Sequence, residues 1–261
     1  MSFFKKALSK VGIGAAKVDA ILDNSVVYPG GELSGIIQIK GGKAAQKIQK
    51  IDLDVRCNYM VEIEVEDEDG NEETETVEET ATLVAYDLPE AFEIQPDEER
   101  EVPFSITMPE TSPLTLGRSR TWVETNLDIE FALDKSDKDY VQVEPNDLQL
   151  SVLQALEELG FVLVEAECEA VKNFHVPFMQ ELEFKAPSGP FAGRVSEVEV
   201  VFINDGHQLR LMLEIDRRAR GMSGLFLSMF DMDETKTALT VNEHNIHDIQ
   251  NLLADVISSH S

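Results

Sequence analysis

The sequence predicts a mainly β protein of two domains, with short helices at the N-terminus, at the domain junction and at the C-terminus. Three observations predict it. Apolar residues recur at every second position through most of the chain, turn-forming Pro, Gly and Asp-Gly residues punctuate those runs, and helical spacing is confined to a few short stretches. At 261 residues with 43% apolar content, the chain can build two modest domains with ordinary cores. Aromatic content is 7%, with the single tryptophan Trp122, so the core rests on Val, Ile and Leu, residues that favour strands.

Residues 1–16 make the first element. Phe3, Phe4, Ala7, Leu8 and Val11 share one helical face, Lys5, Lys6 and Lys10 oppose it, and Gly12 and Gly14 end it. The first β domain, 17–144, follows. Its expected strands are Lys17–Leu22, Gly35–Lys40, Ile48–Tyr59, Val61–Glu66, Glu75–Tyr86, Ala91–Ile94, Glu101–Thr107, Thr121–Asp128 and Tyr140–Val143. Pro29-Gly30-Gly31, Gly41-Gly42, Asp69-Gly70 and Pro96-Asp97 separate them, a spacing typical of an antiparallel sandwich.

Pro145 breaks the pattern. Asn146 can cap a junction helix within 145–160 that carries Leu148, Val152, Leu153, Leu156 and Leu159, and Gly160 can stop it. The second domain, 161–261, then offers strands Phe161–Ala170, Gln180–Ala186, Glu197–Ile203 and Gln208–Ile215, the last two joined by the turn Asn204-Asp205-Gly206. A short helix is expected over Ser223–Asp231 and a final one from His244 to about Ile257.

Charge narrows the function. The net charge of -28 argues against nucleic acid, because phosphate binding requires Lys and Arg to displace counterions. It argues equally against anionic membrane, and no apolar run reaches the ~18 residues of an integral membrane segment. Residues 1–60 carry nine Lys/Arg against five Asp/Glu, whereas 61–110 carry nineteen acids against Arg100 alone. Cys57 and Cys168, distant and in apolar strand-like runs, read as buried free thiols. A reducing, cytoplasmic setting fits them, and Lys10 interrupts the one candidate signal core.

Enzyme signatures are missing. Gly221-Met222-Ser223-Gly224 lacks the second glycine of a nucleophile elbow, Leu225 standing in its place. The chain contains no HExxH, no P-loop and no GxGxxG after a strand, so neither a catalytic centre nor a cofactor is expected. His244 and His247 stand three apart, but no further zinc ligands lie nearby, and they read as helix-terminal polar residues.

Two stretches resemble arrestin-type sandwiches. One is Tyr28-Pro29-Gly30-Gly31-Glu32-Leu33-Ser34-Gly35, similar to the turn that opens the second strand of such domains, with Gly31 where an acid is usual. The other runs from Ile94-Gln95-Pro96 through Val102-Pro103-Phe104-Ser105-Ile106 to Met108-Pro109, with Asp97 replacing a glycine. A closer resemblance covers nearly the whole chain. Ser2-Phe3-Phe4-Lys5-Lys6, Val11-Gly12-Ile13-Gly14, Lys40-Gly41-Gly42, Trp122-Val123-Glu124-Thr125, Asp137-Lys138-Asp139-Tyr140 and Asp216-Arg217-Arg218-Ala219-Arg220-Gly221 look like the bacterial sporulation-control family, sporulation stage zero, type M. That resemblance implies two arrestin-like β-sandwich domains in tandem and a regulatory, non-enzymatic adaptor or scaffold. The alternative is a small-ligand or lipid-binding protein using the groove between the domains.

Three constellations are candidate sites. From Glu62 to Glu79, eleven of eighteen residues are acidic and none is basic, with Asp69-Gly70 at the turn. Glu62, Glu64, Glu66, Asp67, Glu68, Asp69, Glu72, Glu73 and Glu75 form this hairpin. Like charges facing across strands cost some tenths to ~1 kcal/mol per pair. The hairpin reads as a solubilising edge, as a docking surface for a protein with basic patches, or as a cation site. An EF-hand is excluded, since Val65 and Thr76 would fill loop positions that need carboxylates.

Phe3, Phe4 and Leu8 opposite Lys5 and Lys6 read either as a contact helix packed on the protein's own sheet or as a membrane-surface helix. Arrestin-type tandems hold a polar core of paired charges, which makes Arg56, inside the apolar run Ile51–Tyr59, a candidate for a buried ion pair. A surface-facing Arg56 is equally consistent with strand alternation. Exposed strand edges could pair two copies into a homodimer.

Overall fold

The computed structural model describes residues 15–66, 72–88, 91–130, 135–172, 174–216 and 236–260. It is mainly β, with 57% of the described residues in strands and 13% in helices, and includes the expected C-terminal helix. The chain divides into two compact units. The first comprises described residues up to Cys57, with Thr82–Pro109 and Thr121–Gln142; the second comprises Asn58–Ala81, Glu110–Arg120 and described residues from Val143 onward. Two segments of the second unit therefore come from within 17–144.

The first unit holds two sheets. β1 (Lys17–Leu22), β3 (Glu32–Lys40) and β7 (Glu99–Thr107) form one, antiparallel throughout with β3 central. β2 (Val26–Val27), the first part of β4 (Gln46–Glu66), β6 (Phe92–Ile94), β8 (Thr121–Ile129) and β9 (Lys135–Val143) belong to the other. Burial alternates along both, for example Leu33, Ile37 and Ile39 on β3 and Ile51, Leu53 and Val55 on β4, which is the signature of a sandwich.

The Tyr28–Gly31 turn explains its own sequence. Gly31 N–H donates to Tyr28 O at 2.9 Å, Pro29 supplies the first central position, and Gly30 takes φ 77 at the second.

Strands β4 and β5 (Glu72–Leu88) pair with each other and run from one unit into the other. β4 is one strand of 21 residues where the apolar pattern suggests two, because its backbone stays extended through Met60. In the second unit, β10 (Val162–Ala170), β11 (Phe178–Lys185), β12 (Glu197–Asn204), β13 (Leu209–Asp216) and β14 (Lys236–Val241) follow one another antiparallel. β4 joins β10 through the parallel pair Met60–Glu169.

One face of this sheet, with Leu182, Phe184, Val198, Leu211 and Leu213, packs against α1 (Asp147–Glu158) and α2 (Ile249–His260). Strand β14 has no counterpart among the expected strands. The predicted helices over Phe3–Val11 and Ser223–Asp231 lie outside the described residues.

Helix α1 starts and stops as its sequence dictates. Asn146 Oδ1 accepts from Gln149 N at 3.0 Å, Gln149 Oε1 accepts from Asn146 N at 3.0 Å, and Gly160 at φ 90 lets Phe161 N–H reach Leu156 O. Asn146→Ala is expected to cost about 1 kcal/mol. Calorimetry should register that as a melting transition lower by about 2–4 °C.

Candidate functional site

The acidic hairpin extends the sheet of the second unit. Glu62, Glu64 and Glu66 on β4 and Glu72, Glu73 and Glu75 on β5 are all exposed. Asp67, Glu68 and Asp69, expected at its turn from the sequence, lie outside the described residues, as do Phe3, Phe4, Lys5, Lys6 and Leu8. Because Met60 pairs with Glu169, strand periodicity puts Glu62, Glu64 and Glu66 on the same sheet face as Glu169.

That face carries a second set of carboxylates which sequence reasoning missed. Glu165 lies opposite Glu183, Glu183 opposite Glu199, and Glu199 opposite Glu214, one row across four neighbouring strands. Glu167 opposite Glu181 forms the next row, and Glu197 opposite Asp216 flanks the first on β12 and β13. Directly opposed residues on one face stand ~4.5–5.5 Å apart at Cβ, close enough for like charges to repel and for a carboxyl to be favoured in its protonated form.

Glu197, Glu199 and Glu214 are also buried, at 8%, 7% and 8% exposure. Burial, followed by the neighbouring carboxylates Glu199 and Glu169, pushes Glu181 up to about 9. Burial and then Glu214 push Glu199 up to about 8. Glu169 and Glu197 are raised for the same first reason.

Among the described residues, Lys185 and Arg118 offset part of the charge, and Lys236 on β14 stands opposite Glu214 at the end of the first row. Lys185 Nζ lies 2.5 Å from Glu183 and 3.7 Å from Glu197. Arg118 lies 3.2 Å from Glu167 and 3.7 Å from Glu165. Asn58 links the base of the hairpin to the segment bearing Arg118: its Nδ2 donates to Glu78 and to Arg118 O, and its Oδ1 accepts from Arg120 N. A signal for the face was present in the sequence, since Glu165, Glu167 and Glu169, then Glu181 and Glu183, then Glu197 and Glu199 alternate with period two.

Arg56 lies on the first unit's sheet. Its guanidinium stands 2.6 Å from Asp54 and 3.1 Å from Glu124, with 28% of the side chain exposed. The pair is half-buried and in contact with solvent, so its contribution is nearer the ~1 kcal/mol of an exposed pair than the ~3–5 kcal/mol of a sealed one. His244 is exposed, its N–H donating to Asn242 Oδ1 in the turn before α2, and His247 is exposed in the 3-10 turn Ile246–Asp248.

Asp19, Asp137 and Asp139 each bring one carboxylate oxygen within 4.8 Å of the others. Oxygen donors suit a hard cation, but three are fewer than the six to eight that calcium takes. Burial and then Asp137 push Asp139 up to about 7, so the trio reads as crowded carboxylates that retain a proton. Both cysteines are buried, and burial pushes the Cys168 thiol up to about 12, which removes it as a nucleophile. Among the described residues, no helix is long and apolar enough to cross a membrane.

Comparison with known proteins agrees with the fold and with the resemblance of the sequence motifs. Residues 4–219 match the family described as SpoOM protein. The sporulation-control protein Spo0M of Bacillus subtilis (strain 168) is 39% identical over 254 residues, covering 97% of this chain and 95% of the relative. The crystal structure of Spo0M from Bacillus subtilis superimposes with a TM-score of 0.84 at 35% identity, over 95% of this chain and 100% of that one. The chain belongs to the Spo0M family of sporulation-control proteins.

Proposed function

We propose that this chain is a non-enzymatic regulatory adaptor that holds a lysine- and arginine-rich surface of a partner protein against the carboxylate face of its second unit. The observation that carries the reading is the set of exposed hairpin acids Glu62, Glu64 and Glu66, backed on the same face by the row Glu165–Glu183–Glu199–Glu214, whose members Glu199 and Glu214 are buried. A fold gains nothing in stability from such a row. A cationic partner relieves it, and the summed negative field steers that partner's approach. The family supports a regulatory role, and the buried thiols Cys57 and Cys168 accord with a reducing cytoplasm.

The raised carboxyls give this reading a signature. Glu181 and Glu199 retain protons near neutrality, at about 9 and about 8. An approaching ammonium or guanidinium favours their charged forms, so binding releases protons and tightens as pH rises from about 6 to about 8.5. Titration calorimetry with a decapeptide of alternating lysine and glycine, run in buffers of different ionisation enthalpy, measures the proton release directly.

Neutralising six hairpin acids as Glu62→Gln, Glu64→Gln, Glu66→Gln, Glu72→Gln, Glu73→Gln and Glu75→Gln is expected to weaken the decapeptide at least ~10-fold at low salt. Affinity within about two-fold of wild type, with no proton release, would remove the docking role.

A further inference from the structure

A cavity of ≈ 50 Å³ opens on the second unit beside the carboxylate-bearing sheet. Its walls include Phe174, Phe178, Met179 and Phe202, and its polar lining includes Glu110, Ser112 and Asn204. The Glu110 carboxylate is held in place, since Asn204 Nδ2 donates to its Oε2. Its other oxygen lies over Gly206, where an added Cβ would come within 2.9 Å of Oε1. Ser112 is 4% exposed, yet its Oγ has no hydrogen-bond partner among the described residues. A buried hydroxyl without a partner at the wall of a cavity marks a place where a polar group is expected to enter.

Size and chemistry together select the occupant. One water needs about 10–15 Å³ on this measure, so ≈ 50 Å³ admits only a few non-hydrogen atoms, far short of a lipid chain or nucleotide. Aromatic and thioether walls accept a methylene stem and attract a cation to their π-faces. A fixed carboxylate with an unpaired hydroxyl matches a compact ammonium with three rotatable donors better than a planar guanidinium.

We propose that this cavity seats the ammonium end of a single lysine side chain from the partner protein, with Glu110 as its counter-ion and Ser112 as a second acceptor. The assignment rests on the reading of a basic protein partner, and names the one residue type that the partner must present at this point. It makes Glu110 a specificity-determining group, distinct from the diffuse attraction of the hairpin.

The test uses the full chain with carbon-13-labelled methionine methyls, following the Met179 resonance. Nα-acetyl-lysine methylamide is expected to give a saturable shift, and the uncharged norleucine analogue to bind at least ~10-fold more weakly. Glu110→Gln should weaken the lysine probe by at least ~5-fold, while the six-fold hairpin variant should bind it within about two-fold of wild type.

Equal affinity for the two probes, or no saturable shift, would overturn the proposal, and this comparison needs no variant to fold. Free cadaverine binding more than ~10-fold tighter than the lysine probe would also overturn it, in favour of a soluble diamine. If the decapeptide ignores the hairpin charges while the lysine probe still seats, the docking face fails and the cavity stands. The reverse pattern removes the cavity alone.

Discussion

Replacing Glu181 and Glu199 together by glutamine raises the melting temperature at pH 8 and flattens its dependence on pH between about 6 and 9. In the native protein these carboxyls hold protons up to about 9 and about 8, whereas in the unfolded chain they titrate near ~4.3. A group whose folded value is raised stabilises the fold fully below its unfolded value. That contribution is lost as pH climbs through the folded one. The second unit should therefore lose stability from this face on alkalinisation from pH 6 to pH 9, with Asp139 acting in the same direction in the first unit.

Glutamine keeps the shape and removes both the charge and the proton. Allowing for relaxation and water entry, the gain at pH 8 is about 2–3 kcal/mol, or about 5–10 °C by differential scanning calorimetry. Glu64→Gln on the exposed hairpin serves as the control, expected within about 0.5 kcal/mol of wild type. A double variant that melts lower than wild type at pH 8 would show that charge crowding is not what strains this face.

Gly35→Ala has the largest expected effect in the first unit. Gly35 sits mid-strand on β3, paired with Leu22 on one side and Phe104 on the other. A Cβ there would come to 2.3 Å from Ile21 O and 3.1 Å from Leu22 Cα, both backbone atoms of β1. Side chains could turn away from such a clash, but a paired strand can move only by giving up its hydrogen bonds. The cost is about 3 kcal/mol or more. Trp122, 5% exposed in the same unit, reports the loss as a fluorescence transition lowered by about 10 °C. A shift below about 2 °C would mean that β1 slides to accommodate the methyl group.

Several elements were legible because local chemistry determines them. Strand β1 was expected over Lys17–Leu22 and forms there. Asn146 and Gly160 bracket α1 through hydrogen bonds and a positive φ that near neighbours supply. The turn before β13 follows Asn204-Asp205-Gly206, with Gly206 at φ 84.

Strand β14 was not legible. Its partner β13 ends at Asp216, twenty residues before Lys236, and pairing rather than pattern marks Lys236–Val241 as a strand. The continuity of β4 through Met60 escaped for a related reason, since a break in apolar alternation is no break in backbone extension.

The candidate site divides along the same line. An acidic segment from Glu62 to Glu79 and runs of alternating glutamates further on were visible as composition and period, and with them the bias toward a basic partner. Which glutamates face one another was not, because register is set by turn lengths and by pairing between segments far apart in the chain.

Met60 and Glu169 are 109 residues apart in the chain, yet their pairing brings Glu62, Glu64 and Glu66 and the glutamate rows onto one face. By itself the sequence determined the β class, the helix caps, the strong negative charge and the family. The tertiary structure decided that Glu165, Glu183, Glu199 and Glu214 stand in one row and that Ser112, its hydroxyl without a partner among the described residues, and Glu110 line the same small cavity. Local propensity is written residue by residue, whereas proximity between carboxylates arises only once strands are laid side by side.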